Sequence, residues 1–341
     1  MKTFESESIN SAWEKAYIYL KNENHIQKSR AGSTLEIMKV IFSISNSRDR
    51  WVTSRVPMIS PAFAIAEVFW ILDGQQDANF INTWNPILKK FAGNVENYYG
   101  AYGNRLIKNF GFNQIEQAYT TLKHNPNTRQ AVLNIWDPEK DLPKKYGLPN
   151  SDDIPCNLVS MLKIRNNKLE WSQVMRGNDL LRGTPYNFIQ FTMLQEIMAG
   201  WLDIDIGDYI LFTDSLHLYK KDFHKFKLRT EIKKFNANDV LLFSKEEFNT
   251  FFPECIKILQ DARLNGINNN IVKKLQNHSI IPQEYKNLLS IPLAYLALKS
   301  NNIELMNTIE GLCLNQQLLY IWQQWKYEVA YKSQQNLATN T

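Results

Sequence analysis

The sequence of 341 residues contains only three cysteines, and this scarcity excludes two kinds of site. Cys156, Cys255 and Cys313 lie far apart, and the sequence has neither a Cys-x-x-Cys pair nor a cluster of cysteine and histidine. Disulfide frameworks and zinc sites both need such groupings, so the sequence indicates no disulfide framework and no metal site. Free, widely spaced cysteines favour a reducing compartment, and we expect the protein to be cytoplasmic.

Long hydrophobic runs and a strong excess of one charge are also missing. No run approaches the roughly 20 apolar residues of a membrane-spanning helix, and residues 1–5 contain no apolar signal core. A net charge of +5 suits a phosphorylated substrate, although a slightly basic solvated surface explains it as well. We therefore expect no membrane association, and a nucleic-acid partner is not indicated because the sequence lacks a dense basic stripe.

The composition present is that of a globular protein, with 44% hydrophobic and 21% charged residues. The spacing of apolar residues predicts a series of helices and strands before residue 219. These are helices over 6–20, 60–72, 79–91 and 112–123, and strands over 35–44, 129–136, 158–164 and 168–174. After residue 219 the pattern predicts a basic helix or loop over 220–234 and helices over 246–277, 282–299 and 302–332.

Polar residues of several chemical types are concentrated around the two strands of the predicted hairpin. Cys156 precedes the first strand, Arg176 and Asp179 follow the second, and Asn187 comes shortly afterwards. A lone cysteine is most often a buried small hydrophobe, but a nearby cation lowers a thiol pKa and favours the reactive thiolate. Because Arg176 would face Cys156 across the hairpin, this stretch is a candidate site.

This order of residues resembles the thymidylate synthase family, which includes the pyrimidine nucleotide hydroxymethylases. The resemblance runs from about residue 30 to residue 219. It rests on Pro155-Cys156, Arg176 with Asp179, Gly183-Thr184-Pro185-Tyr186-Asn187, and His217 with Tyr219. It implies an α+β fold in which helices cover a mixed β-sheet. The catalytic domain would occupy residues 1–235, and a helical C-terminal extension would occupy residues 236–341.

The resemblance assigns catalytic roles to Cys156, Glu67, Tyr102 and Arg176. Cys156 would be the nucleophile, and Arg176 would both lower its pKa and bind phosphate. Glu67 is a lone carboxylate in an apolar helix, and it matches the family's glutamate at the pyrimidine ring. A glutamate at such a position would alternatively point to solvent or pair with an arginine. Tyr102 matches a tyrosine that forms hydrogen bonds near the ring.

The resemblance also assigns substrate contacts. Arg30 and Arg129 would bind the nucleotide phosphate together with Arg176, and the residues that match the sugar-binding pair are His217 and Tyr219. The family contributes the arginine at position 129 across a dimer interface, so a homodimer with a cross-subunit arginine is expected. Asn187 would pair with O4 and N3–H of uracil, which favours deoxyuridylate over a cytosine nucleotide.

Methylenetetrahydrofolate is the implied co-substrate. Asp179 and Gly183 match residues that approach its pterin ring, and Trp84 matches a tryptophan that faces the folate. Leu88 and Phe91 align equally well with that tryptophan. The expected reaction transfers a one-carbon unit to C5 of the pyrimidine through an adduct between Cys156 and C6. The product would carry a methyl or a hydroxymethyl group.

Several positions depart from the family pattern. Asn157 replaces the histidine after the nucleophile, Gly177 replaces a serine after the core arginine, and Gln130 replaces a second arginine. No segment of this sequence resembles the short apolar carboxyl terminus that closes the family's site. This difference mildly favours a site that admits water, and hence hydroxymethylation. Two further hypotheses are a nucleotide-binding paralogue without turnover, and a structural core whose helical tail is an interaction module.

Overall fold

The computed structural model describes residues 1–23, 25–29, 32–231, 233, 235 and 239–331. Within these ranges the chain forms ten β-strands. They are β1 Lys2–Ser6, β2 Ile26–Ser29, β3 Gly32–Ile44, β4 Arg55–Val56, β5 Val132–Asn134, β6 Asn157–Arg165, β7 Lys168–Met175, β8 Asn178–Asp179, β9 Asp205–Tyr219 and β10 Lys227–Leu228.

The same ranges contain thirteen α-helices and three helical segments of other types. The α-helices are α1 Ile9–Lys21, α2 Pro61–Leu72, α3 Ala78–Asn82, α4 Lys89–Ala92, α5 Tyr102–Ile107, α6 Gln114–His124, α7 Pro138–Asp141, α8 Thr184–Trp201, α9 Lys245–Asn265, α10 Asn269–Gln276, α11 Gln283–Lys299, α12 Ile303–Glu310 and α13 Gln316–Trp325. Pro86–Leu88 and Lys220–Lys225 are 3-10 helical, and Lys326–Tyr331 is π-helical. Among the described helices, none is long and apolar enough to cross a bilayer.

A mixed β-sheet forms the centre of the fold. Its strand order is β1-β3-β9-β7-β6-β5, with β2 paired to β3 and β8 paired to β9. β1 runs parallel to β3, and β9 runs parallel to β7 and β8, whereas β3–β9, β6–β7, β5–β6 and β2–β3 are antiparallel. The α+β prediction, with a mixed sheet and a helical C-terminal part, is confirmed.

Two apolar helices, α2 and α8, place site residues beside the sheet. Ser60 caps α2 by accepting a hydrogen bond from the N–H of Phe63 at 3.2 Å, and Pro61 occupies the first turn, where its missing N–H costs nothing. Residues along nearly the whole of α8 are buried. Helices that are apolar on all sides must lie inside a protein, and here α2 contacts α8, which in turn contacts β7 and β9.

The C-terminal helices pack on the face of α2 that lies away from the sheet. α11 and α13 contact α2, and the ring of Phe69 lies 5.6 Å from Phe252 and 6.2 Å from Tyr285. The hydrophobic core is therefore continuous across residue 235. The division into a catalytic domain and a helical extension stays a prediction about the organisation of the chain.

The predicted boundaries differ from the observed ones where single residues interrupt a pattern. The helix predicted over 246–277 ends at Gly266, whose φ of +77° is unfavourable for other residues. The helix predicted over 302–332 is divided between α12 and α13, which has its own cap at Asn315. Residues 79–91 form three short helical segments, because Pro86 cannot continue a preceding helix. The strand predicted over 129–136 is limited to Val132–Asn134.

Candidate active site

Cys156 and Arg176 lie opposite each other where the β6–β7 hairpin begins and ends. Asn157 pairs with Met175, and the backbone N–H of Arg176 donates to the carbonyl oxygen of Cys156 at 3.0 Å. The guanidinium of Arg176 donates to the carbonyl oxygens of Pro155 and Ile154, both at 2.9 Å. The hairpin therefore brings together the nucleophile and the cation that were predicted from the sequence.

Burial is the largest influence on the Cys156 thiol and raises its pKa. Arg176 opposes this shift, whereas the carboxylates of Asp153 and Asp179 add to it. The net direction is upward, so the resting group is a thiol at neutral pH. We expected the arginine to dominate, but in this structure the loss of solvent outweighs it. The thiol must therefore lose its proton as it reacts.

Glu67 projects from α2 into the same region, and its Oε2 atom is buried without a hydrogen-bond partner among the described residues. Burial raises the pKa of this carboxyl to about 7, against a smaller lowering by a hydrogen bond from Gln190. Asp153 raises it further. A carboxyl with a pKa near neutrality can both donate and accept a proton at physiological pH, which suits a general acid or base.

Tyr102 begins α5, and α5 approaches α2 very closely. A Cβ on the next residue, Gly103, would lie 2.5 Å from the carbonyl oxygen of Ile71, so only glycine permits this approach. Burial raises the pKa of the Tyr102 hydroxyl, with smaller effects from the neighbouring Cys156 and Glu67. The phenol therefore stays protonated and can donate a hydrogen bond.

Asp153 is a site residue that the sequence analysis missed. Its carboxylate accepts a hydrogen bond from the N–H of Gly100 at 2.8 Å, and burial raises its pKa. It influences the pKa of Glu67, Tyr102 and Cys156, so it lies among all three. An acidic residue three positions before a candidate nucleophile is the signal that could have identified it.

Asn187 lies in the first turn of α8 and belongs to a row of buried amides. Its Oδ1 accepts from Nδ2 of Asn157 at 3.0 Å, and its own Nδ2 donates to Oδ1 of Asn178 at 3.2 Å. Asn157 also forms a hydrogen bond with Tyr102. The residue after the predicted nucleophile therefore connects the amide predicted to read the base with the phenol predicted to lie near the ring.

The three remaining predicted residues of this edge meet where β8 joins β9. Asp179 pairs with His217, and the rings of His217 and Tyr219 meet edge to face at 5.5 Å. Burial raises the pKa of Asp179, while His217 opposes that shift. The nearest atoms to a Cβ on Gly177 would be the backbone oxygen of Ser215 at 3.9 Å and Cε1 of His217 at 4.0 Å. A Cβ at this position would therefore fit in ordinary van der Waals contact with the histidine.

The family model of thymidylate synthase matches residues 16–271, which is most of the chain. The chain belongs to the thymidylate synthase family. The match includes the hairpin, α2, α5 and α8, which carry the residues described above. It also extends beyond residue 219, where the sequence motifs ended.

Two phage proteins and a bacterial protein illustrate the relationship. A deoxyuridylate hydroxymethyltransferase of Bacillus phage SP01 is 34% identical over 62% of this chain and 57% of its own length. A protein of the same name from Delftia phage PhiW-14 is 29% identical over 57% and 56%. A thymidylate synthase of Bacillus subtilis subsp. natto is 24% identical over 64% and 80%. The chain thus spans little more than half the length of the phage relatives it matches.

Of the two further arginines that the family resemblance assigned to phosphate, only Arg129 lies within the described residues. Arg129 is exposed in the segment before the edge strand β5. It forms no part of the cluster in its own chain, so its assignment depends on a second subunit. Arg30 lies outside the described residues.

Trp84, which the family resemblance assigned to a folate-facing position, packs against the C-terminal helices, and that assignment stays a prediction. The side chain is buried, its indole N–H donates to the carbonyl oxygen of Pro292 in α11 at 3.1 Å, and its ring packs on Phe80 at 5.0 Å. Trp84 therefore joins α3 to the C-terminal helices. Phe91, which aligned equally well in the sequence, is 53% exposed, and the guanidinium of Arg182 lies 5.4 Å from its ring.

Gly183 stands at the start of α8, beside the amide row and not in an open groove. A Cβ there would lie 3.4 Å from Oδ1 of Asn178, 3.5 Å from Nδ2 of Asn187 and 3.6 Å from the carbonyl oxygen of Asp179. These are ordinary contact distances. The glycine borders both Asp179 and the Asn187 amide, which is predicted to read the base, so its predicted contact with a co-substrate is compatible with its position.

Proposed function

We propose that this protein transfers a one-carbon unit from 5,10-methylenetetrahydrofolate to C5 of deoxyuridylate through an adduct between Cys156 and C6 of the ring. The observation that carries this proposal is the link between Cys156 and Asn187. The residue after the nucleophile, Asn157, donates directly to the amide of Asn187 at 3.0 Å. Nucleophile and base-reading group therefore belong to one rigid unit, which is what a positioned attack on a ring carbon requires.

The side chains around Cys156 can perform the required proton transfers. When Sγ bonds to C6, the thiol proton must leave and negative charge develops at O4 and C5. The N–H of Asn187 and the protonated Tyr102 are hydrogen-bond donors that can stabilise such charge. Glu67, with a pKa raised to about 7, can exchange a proton near neutral pH. The folate supplies the one-carbon unit to C5, the proton that C5 carried must then pass to a base, and breaking of the Sγ–C6 bond frees the cysteine and releases the product.

Hydroxymethylation is the outcome that the comparisons favour. The two phage relatives named for hydroxymethyl transfer to deoxyuridylate are 34% and 29% identical to this chain, and the bacterial thymidylate synthase is 24% identical. In this outcome water completes the reaction at the transferred carbon, in place of a hydride.

The residues that would hold the folate lie beside Asp179. Asp179 is buried with a raised pKa, and its Oδ1 accepts from the N–H groups of Leu181 and Arg182 at 2.9 and 3.0 Å. Phe91 offers an exposed ring next to Arg182. An aromatic face and a carboxylate can bind a flat heterocycle with ring N–H donors. We assign the aromatic contact to Phe91.

We further propose a homodimer in which Arg129 binds the phosphate in the partner's site. The exposed position of Arg129 beside an edge strand supports this assignment. Subunit mixing tests it: Cys156→Ala and Arg129→Ala should each be inactive alone, and the mixture should regain part of the activity. A mixture that stays inactive, with mixed dimers demonstrated by native mass spectrometry, would contradict the shared site.

Mass spectrometry of nucleotides tests the reaction itself. The protein is incubated with methylenetetrahydrofolate and with deoxyuridylate, deoxycytidylate or uridylate, and the products are identified. We expect 5-hydroxymethyl-deoxyuridylate as the main product, and no product from Cys156→Ala, whereas Cys313→Ala serves as the matched cysteine control. A methyl product would correct the outcome of the reaction. Binding of nucleotide without any product would replace the enzyme proposal by a binding protein.

A further inference from the structure

The row of hydrogen-bonded amides that contains Asn187 continues into the sheet beyond the candidate site. Nε2 of Gln173 in β7 donates to Oδ1 of Asn157 at 2.9 Å, and Asn157 then donates to Asn187, which donates to Asn178. Gln173 and Asn157 have no exposed surface, Asn178 is 2% exposed and Asn187 is 7% exposed. Since water does not reach most of this row, each amide depends on its neighbours for hydrogen bonds.

Trp171 decides the direction of these hydrogen bonds. Its indole Nε1–H lies 3.3 Å from Oε1 of Gln173, and the hydroxyl of Ser160 lies 2.5 Å from the same oxygen. A hydroxyl can donate or accept, but an indole N–H can only donate. Gln173 must therefore turn its oxygen toward Trp171 and its NH₂ group toward Asn157.

The opposite end of the row imposes no direction. Asn178 accepts from Asn187 through Oδ1, and its buried Nδ2 has no hydrogen-bond partner among the described residues. Rotated by 180°, Asn178 would donate to Asn187 and leave its oxygen unpaired instead. Both orientations of Asn178 thus make the same number of hydrogen bonds, so Asn178 does not determine how the other amides are oriented. The hydrogen bond from Trp171 to Gln173 determines it.

The orientation of Asn187 determines which pyrimidine it fits. In the observed orientation, Oδ1 and Nδ2 each use one hydrogen-bonding position within the row, which leaves one acceptor and one donor position. Uracil presents a complementary N3–H donor and O4 acceptor, whereas cytosine presents an N3 acceptor and an N4 donor. An unconstrained amide could rotate by 180° and pair with cytosine equally well.

We propose that Trp171 and Gln173 are positioning residues that hold the Asn187 amide in its uracil-binding orientation and thereby exclude cytosine nucleotides. This inference rests on the proposed function, because it assigns a specificity to the same site. Trp171 and Gln173 are buried in β7 and are not among the residues proposed to contact the nucleotide. They act through Asn157, the residue that stands where the family has histidine.

Trp171→Phe tests the inference because it keeps an aromatic ring and removes the obligate donor. Affinities for deoxyuridylate and deoxycytidylate are measured by calorimetry, and kcat/KM is measured for both. We expect the preference for deoxyuridylate to fall about tenfold, since one hydrogen bond then no longer opposes rotation of the row. Trp201→Phe is the matched control, since the Trp201 indole N–H is buried without a partner among the described residues and lies at the far end of α8. It should keep the preference of the original protein.

Gln173→Met provides a second variant, which keeps the length of the side chain and removes both of its hydrogen-bonding groups. It should lower the same preference, and it replaces Trp171→Phe if that variant fails to fold. A purely structural role would weaken binding of both nucleotides in parallel. An unchanged ratio in a folded variant, or an original protein that does not prefer deoxyuridylate, would overturn the inference. Preferential binding of deoxyuridylate without turnover would remove the proposed reaction and leave this inference standing.

Discussion

Nε of Arg176 donates a 2.9 Å hydrogen bond to the carbonyl oxygen of Pro155, the residue immediately before Cys156, the proposed nucleophile. A second guanidinium nitrogen donates to Ile154 at the same distance. Guanidinium donors lie in one plane, so a single side chain can hold two successive carbonyl groups. Arg176 therefore fixes the segment that carries Cys156, and it also opposes the rise of the thiol pKa.

Arg176→Lys should make Cys156 less reactive, because an ammonium group cannot hold both carbonyl oxygens and is a poorer match for this geometry. We expect the pH midpoint for alkylation of Cys156 by iodoacetamide to shift upward and the rate at pH 7.5 to fall. Cys255 and Cys313 are buried, and burial raises the pKa of both, so labelling of the native protein reports mainly Cys156. Arg165→Lys, at the other end of the hairpin, is the control. An unchanged midpoint in Arg176→Lys would contradict the role given to the two guanidinium hydrogen bonds.

Glu67→Gln should remove an ionisation near pH 7 from the pH profile of kcat. The carboxyl pKa of about 7 places this step in the measurable range, and loss of a general acid or base typically lowers kcat by about 10²- to 10⁴-fold. The profile of the original protein should change slope near pH 7, and that of the variant should not. Glu5→Gln changes an exposed glutamate and should leave the profile intact.

The same carboxyl predicts how stability depends on pH. Its folded-state pKa is raised, so its favourable contribution is complete below the unfolded pKa of about 4.5 and is lost as pH rises through about 7. At pH 8 the loss is of the order of 3 kcal/mol. Glu67→Gln should therefore gain free energy of unfolding relative to the original protein between pH 5 and pH 8, as urea titrations can measure. Parallel curves over that range would show that Glu67 does not titrate as described.

Gly177→Ser should strengthen substrate binding. The family carries serine at this position, and the space around Gly177 accepts a Cβ with no atom nearer than 3.9 Å. If a phosphate lies beside Arg176, the added hydroxyl can donate one hydrogen bond, which typically changes affinity by about two- to tenfold. KM for deoxyuridylate should fall by that factor in Gly177→Ser and not in Gly177→Ala. An equal effect of both variants would assign the change to packing.

Gly100→Ala should destabilise the loop that carries Asp153 and Cys156. A Cβ at Gly100 would lie 2.8 Å from the backbone oxygen of Asp153. Because the clashing atom belongs to the backbone, rotation of a side chain cannot relieve the clash. Overpacking of this kind costs about 1–3 kcal/mol, and thermal unfolding should show it together with a fall in activity. Gly177→Ala, whose Cβ has room, should unfold like the original protein. Normal stability of Gly100→Ala would mean that the loop can move away freely.

The sequence was sufficient to predict elements whose pattern is local. The apolar run of α2 and the strands β6 and β7 lie close to their predicted positions, because hydrophobic spacing and turn residues specify them. β1 was missed because a five-residue strand with mixed polarity is recognisable only from its parallel pairing with β3, more than thirty residues later.

The sequence was sufficient to predict which residues form the candidate site, but not what surrounds them in the folded chain. Cys156 and Arg176 could be paired from the hairpin, but the larger influence on the thiol pKa is burial, which depends on the folding of the whole chain. Trp84 was assigned by a loose alignment, and the distant helix α11 explains why it is buried. Likewise, Gln173 and Asn157 are separated by sixteen positions, so their hydrogen bond could not be inferred from spacing alone.

The central claim is covalent attack by Cys156, and the intact mass of the protein tests it most directly. The protein is incubated with methylenetetrahydrofolate and 5-fluoro-deoxyuridylate, whose fluorine cannot leave C5 as a proton does. The account predicts a stable increase in mass that maps to the peptide containing Cys156, that persists in Cys313→Ala and that is absent from Cys156→Ala. No adduct on the original protein, despite demonstrated binding of the nucleotide, would contradict the account.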